Sequence, residues 1–146
     1  MHGGQCINDS CQCPAGYEGV SCQTATSDKI IGVWVVNEKG SISFATSYNL
    51  YITRDTLGGS SIIFDHFNNY FENNVKATIV GDSIFIPEQT LNNKRIIGRG
   101  KAFYKDQIGE YGTIEMAYKV TDMATLIVND FGYDTPSTTN VSVWNR

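Results

Sequence analysis

Acid–base and nucleophilic chemistry needs positioned titratable groups, and this sequence is sparing with them. Histidine occurs twice, as His2 and His66. Beyond the first two dozen residues a two-histidine zinc site therefore lacks its second ligand. No cysteine follows Cys22 to act as a nucleophile. Asp65 and His66 adjoin, but neighbours on a strand point to opposite faces. A solvated turn is the expectation there, not a catalytic relay. Glu72, Glu88, Glu110 and Glu115 are the candidates for a paired-carboxylate hydrolase. Each falls at a strand end or turn, where carboxylates are solvated. No GxSxG, P-loop or GxGxxG pattern occurs. The expectation is a non-enzymatic chain with no cofactor and no metal site.

Binding chemistry is better represented. Residues 65–74 interleave aromatics with amides: Asp-His-Phe-Asn-Asn-Tyr-Phe-Glu-Asn-Asn. Aromatic faces stack on the apolar faces of sugars, and amides bond hydroxyls as donor and acceptor together. His66, Phe67, Tyr70, Phe71 and Asn73 are the candidate binding residues. The competing expectation is a loop whose Phe side chains cap the core while its Asn residues supply turn geometry. Residues 129–134, Asn-Asp-Phe-Gly-Tyr-Asp, form a second such stretch, too poor in acids for an EF-hand loop. Arg95, Arg99, Lys101 and Lys105 share strand parity, which predicts a basic stripe on one face. Such a stripe is a solvated sheet face or a site for an anion or acidic glycan.

The elements holding these residues must be strands. The chain has 146 residues, with 15 Ile and 10 Val against 4 Leu. β-branched and aromatic residues suit a pleated surface, and helix formers are scarce. Apolar or alternating runs over 29–36, 48–54, 61–64, 75–80, 83–86, 95–104, 113–120, 124–128 and 141–144 predict about eight short strands. Gly81-Asp82 reads as a hairpin turn, with Pro87 ending the strand or marking an edge. One helical turn is expected near residues 66–71. The rhythm is that of an antiparallel barrel or sandwich. A net charge of -4 argues against nucleic acid as partner, and no apolar run approaches a membrane span.

All four cysteines, Cys6, Cys11, Cys13 and Cys22, lie in the first 22 residues. A segment this short has no core and needs covalent staples, which persist outside the reducing cytosol. The CxC pair lacks the CxxC spacing of zinc knuckles. Cys11-Gln12-Cys13-Pro14-Ala15-Gly16-Tyr17-Glu18-Gly19-Val20-Ser21-Cys22 resembles the C-terminal half of an EGF-like module. That resemblance implies a Cys13–Cys22 bridge, with Tyr17 packed over the disulfide loop. It leaves Cys6 and Cys11 without their usual partners, either free or bridged to each other. It also implies that this chain begins within the module, with two further cysteines upstream.

The layout as a whole resembles Bacteroidetes-type cell-surface lipoproteins that join an EGF-like module to a small lipocalin-like β domain. The wording Ile31-Gly32-Val33-Trp34, Ile84-Phe85-Ile86-Pro87 and Gly98-Arg99-Gly100 carries it. Gly32-x-Trp34 also resembles the first-strand motif of lipocalins, where Trp34 would plug one barrel end beneath an Arg. The competing expectation is an ordinary core Trp. The expected division is a half module over 1–23, a linker over 24–28 and a barrel or sandwich over 29–146. The resemblance implies a cell-surface or extracellular place, with a membrane reached only through an upstream lipid anchor. The expected function is binding of a small apolar ligand or a glycan. A structural or adhesion scaffold with a solid β domain is the alternative, and a glycan hydrolase the third.

Overall fold

The computed structural model describes residues 4–7, 10–71, 75–105, 111–134 and 141–146, with Ser10 and Cys11 described by their backbone alone. Two small antiparallel hairpins lead the chain. Strand β1 (Gln5–Ile7) pairs with β2 (Ser10–Gln12), and β3 (Tyr17–Glu18) with β4 (Thr24–Ala25). Cys13 and Cys22 form a disulfide with their Cα atoms 5.3 Å apart. Cys6 stands opposite Cys11 in the β1–β2 register and is itself disulfide-bonded.

Residues 24–28 are not the loose connector their small polar side chains imply. They form β4 and a 3-10 turn, Thr26–Lys29, in which Thr26 and Ser27 are buried. Backbone pairing overrides composition here. Thr26 N–H donates to Gly16 O at 2.8 Å, and Ser27 N–H to Gly59 O at 3.2 Å. Lys29 Nζ adds an ion pair to Glu18 at 3.0 Å. Gly16 makes this seam possible, with φ +88 and space for no side chain: a Cβ would lie 2.5 Å from Ser60 N.

The rest of the chain is a closed antiparallel barrel of eight strands. These are β5 (Gly32–Glu38), β6 (Thr46–Arg54), β7 (Ser61–Asp65), β8 (Val75–Val80), β9 (Ser83–Leu91), β10 (Lys94–Tyr104), β11 (Tyr111–Asp122) and β13 (Ser142–Asn145). Strands β5 to β11 pair in sequence order, and β13 enters between β11 and β5 to close the ring. A short extra strand, β12 (Val128–Phe131), pairs with the far end of β11. Tight turns use residues that accept positive φ: Gly81 at 62°, and Asn92 and Asn93 at 50° and 62° between β9 and β10.

Three boundaries depart from the sequence expectations. Strand β9 runs past Pro87 to Leu91 instead of ending there. The pairing with β10 slips between Ile96 and Gly98, so the proline sits at a bulge where no N–H is required. The first apolar run becomes strand only at Gly32, because Ile30 closes the 3-10 turn and packs into the core. The run over 124–128 is mostly a turn, since the Asp122 carboxylate accepts Ala124 N–H at 2.9 Å.

Alternation carries the apolar side chains inward. Trp34, Val36, Leu50, Ile52, Phe64 and Trp144 belong to one buried cluster. Trp34 sits over the end where the chain enters. Its Nε1 donates to Ile30 O at 2.9 Å, and the Arg146 guanidinium lies 4.4 Å from its ring centroid. Arg146 spends its donors on Tyr111 O, Ile31 O and Lys29 O. This is the closed pole; the β3–β4 hairpin seats against the same end, at the β6–β7 turn.

Candidate functional site

The opposite, open pole gathers most of the residues the sequence singles out. Strand β7 ends at Asp65, and the chain then turns inward. His66, Asn68 and Asn69 all take positive φ, at 66°, 58° and 52°. No helical turn forms over 66–71. Instead Asn69 N–H bonds His66 O, while Tyr70 and Phe71 N–H both bond Phe67 O.

This turn drops Phe67 and Phe71 into the barrel, both fully buried. Phe67 packs at 4.6 Å from Tyr118, and Tyr118 stacks on Phe131 at 4.3 Å. The two aromatic–amide stretches therefore meet, through Tyr118. Phe67 and Phe71 are core residues and offer no face to a ligand; the spacing of Phe64, Phe67 and Phe71 serves the core. Of the five candidate binding residues, His66 and Tyr70 present exposed side chains. Asn73 lies outside the described residues.

His66 and Asp65 do not diverge as strand neighbours would. The chain has left the strand at His66, and its Nδ1 comes within 3.1 Å of Asp65 Oδ1. Strand alternation is thus no argument against this pair. Its other neighbour is the Tyr51 ring, edge-on at 5.6 Å.

Sequence reasoning missed the buried carboxylate of this pole. Glu38 ends β5 pointing inward, 5% exposed. Its carboxylate accepts hydrogen bonds from the hydroxyls of Tyr48 and Tyr118, and from Ser142. Burial pushes the Glu38 carboxyl above the usual carboxylate range, against the lowering effect of those donors. Tyr118 is raised well above an ordinary phenol, by burial first and by the nearby Glu38 charge second; Tyr48 moves the same way for the same causes. Asn68 ties the turn to this network: its Nδ2 donates to the Tyr118 hydroxyl at 2.9 Å, and its backbone N–H bonds Tyr48. Gly98 makes the space Tyr118 needs, as a Cβ there would lie 2.7 Å from the Tyr118 Cβ. The signal was present as parity. Glu38 follows Trp34 and Val36 at steps of two, and Tyr48 precedes Leu50 and Ile52 in the same way.

Beside the turn opens a cleft of about 320 Å³. Asn68 and Asn129 bring amides to it, Ile42 and Ile127 apolar walls, and Lys94 and Asp122 a loose ion pair at 4.0 Å. Lys94 Nζ also lies 5.0 Å from the Tyr70 ring centroid. Two loops frame the cleft and brace each other: Ser41 N–H donates to Asp130 O at 2.9 Å, and Asp130 N–H to Ser41 Oγ at 2.9 Å.

Arg95, Arg99 and Lys101 of the basic stripe lie outward on β10, with Lys105 just past the strand's end, and two of the four are neutralised. Arg95 pairs with Glu88 at 3.4 Å and Lys101 with Asp82 at 3.7 Å. Among the described residues no group of three or more His, Cys, Asp or Glu side chains is placed to hold a metal ion. No described helix is long and apolar enough to cross a membrane. No protein-family model matches the chain, and no curated protein matches it.

Proposed function

We propose that this chain is a non-enzymatic binding module of the cell surface or extracellular space, and that its ligand is a glycan taken at the open-pole cleft. One observation carries this reading: Asn68 and Asn129, from two aromatic–amide stretches far apart in sequence, line the same cleft. Amides there can bond paired hydroxyls, Ile42 and Ile127 offer apolar contact, and the half-exposed Tyr70 ring stands nearby beside Lys94. The extracellular placement rests on the disulfides of the first 22 residues. The upstream lipid anchor rests on the lipoprotein resemblance alone.

A small apolar ligand inside the barrel is the weaker form of the binding reading. Phe64, Phe67, Phe71, Tyr118 and Trp144 occupy the interior near the open pole, and such a ligand would have to displace them. That same packing favours the second reading, a scaffold lipoprotein whose β domain is solid. Hydrolysis would need a second carboxylate across the cleft from Asp122.

The test is a glycan screen of the full chain by amide-detected NMR. The expected result is saturable shifts at Asn68, Lys94 and Asn129, abolished in Asn129→Ala. No saturable shift with any glycan, together with failure to bind an apolar fluorescent probe, moves the weight to the scaffold. Stoichiometric probe binding with no glycan response restores the apolar ligand.

A further inference from the structure

A groove of about 410 Å³ runs over the outer face of β9, β10 and β11, on the barrel wall and away from the open-pole cleft. Register sets its composition. Arg99 on β10 stands between Phe85 on β9 and Ala117 on β11. Two residues on, Lys101 stands between Ser83 and Glu115. Phe103 follows on the same face. The small side chains of Ser83 and Ala117 make a floor, and the larger ones make walls. Phe85 and Phe103 are 47% and 39% exposed, unusual for phenylalanines on a strand with a buried inner face.

Arg99 differs from its neighbours in the stripe. Where Arg95 and Lys101 face carboxylates, Arg99 has none within ion-pair distance among the described residues. It is held instead by Tyr133. One guanidinium nitrogen, Nη2, donates to Tyr133 O at 3.0 Å, and Cζ lies 4.3 Å from the Tyr133 ring centroid. Lys119 braces the same ring from 5.3 Å while paired to Asp134. The guanidinium is thus fixed before any ligand arrives, and its remaining N–H donors have no partner among the described residues. A planar fork of this kind matches a carboxylate in two hydrogen bonds.

We propose that this groove binds an acidic oligosaccharide, one bearing uronic-acid carboxylates. Arg99 takes a carboxylate of the ligand. Phe85 and Phe103 take the apolar faces of sugar rings on either side. Glu115, exposed on the groove wall, accepts hydrogen bonds from sugar hydroxyls, and Lys101, shared with Asp82, adds a second positive contact. The distance from Arg99 to Phe103 along the strand is about 13 Å, the span of a short oligosaccharide. A protein partner would be a worse match, since the exposed aromatic area is split between two separate rings.

The proposal does not depend on the open-pole cleft. Its test is calorimetric titration of the full chain with a short oligogalacturonate and with its carboxyl-reduced, neutral counterpart. Saturable binding of the acidic sugar is expected, weakening as salt rises. The neutral sugar should bind about tenfold or more weakly, as should the acidic sugar to Arg99→Ala. Arg99→Lys should recover only part of the loss, and Phe85→Ala should lose affinity several-fold. All of these side chains point outward, so unchanged melting temperatures confirm intact folds. Asn129→Ala, at the other cleft, should bind the acidic sugar as the parent does. Absence of saturable binding, equal affinity for the two sugars, or parent-like binding by a folded Arg99→Ala each overturns the proposal.

Discussion

The Arg146 guanidinium lies 4.4 Å from the centroid of the Trp34 ring, and its nitrogens donate to three backbone carbonyls around that ring. One side chain thus ties the entry of the barrel, the start of β11 and the end of β13. A desolvated cation–π contact contributes about 2 kcal/mol, and hydrogen bonds from a charged donor add to it. Arg146→Ala should lower unfolding stability by about 3 kcal/mol in urea titrations. Arg146→Lys should recover less than half, because an ammonium cannot reach three carbonyls in a plane. A loss below about 0.5 kcal/mol in Arg146→Ala would mean the contact is incidental.

Glu38 makes stability depend on pH in a direction opposite to most carboxylates. Its folded-state pKa is raised by burial. Above the ordinary carboxylate range, and up to that raised value, the folded chain holds a proton the unfolded chain has released. Stability therefore falls as pH rises through this window. Glu38→Gln keeps hydrogen-bonding capacity without the charge and should flatten that slope. Glu38→Ala should instead cost about 2–4 kcal/mol, because the hydroxyls of Tyr48, Tyr118 and Ser142 lose a common acceptor. Urea titrations at a series of pH values, run on all three proteins, check both statements.

Phe67 separates a solid interior from a usable one. Phe67→Ala should destabilise by about 3–5 kcal/mol and leave an apolar void. If the void stays open, an apolar fluorescent probe should bind the variant and not the parent. Probe binding to the parent at equal affinity would show that the interior already opens in solution.

The seam at Gly16 is equally testable. Gly16→Ala meets both an unfavourable φ and the Ser60 backbone. The hairpins should detach and become sensitive to protease, while the barrel keeps its far-UV signature. Protection equal to that of the parent would mean the seam yields without cost.

Architecture and candidate site were not equally legible in the sequence. Alternation located most barrel strands, because each buries one face and leaves the other to water. It failed where backbone bonds decide: Pro87 was absorbed into a bulge, and residues 24–28 were paired despite their polar composition. The partner of Trp34 was invisible for a different reason. Arg146 bonds Ile31 from 115 residues away, and nothing local marks it. Glu38 was legible by parity, yet a glutamate at a strand end is expected in solvent, and only the arrival of Tyr118 and Ser142 from β11 and β13 makes it buried. The aromatic–amide turn was found, but its chemistry was divided by exposure: the phenylalanines went inward and Tyr70 stayed out.

The insertion of β13 between β11 and β5 means the ring has no complete circumference until its first and last strands meet. Until β13 docks, β5 and β11 keep unpaired hydrogen-bonding edges along the stretch it will cover. Closure of the barrel is consequently a late step in folding, and the interval before β13 docks is when its two open edges can pair wrongly.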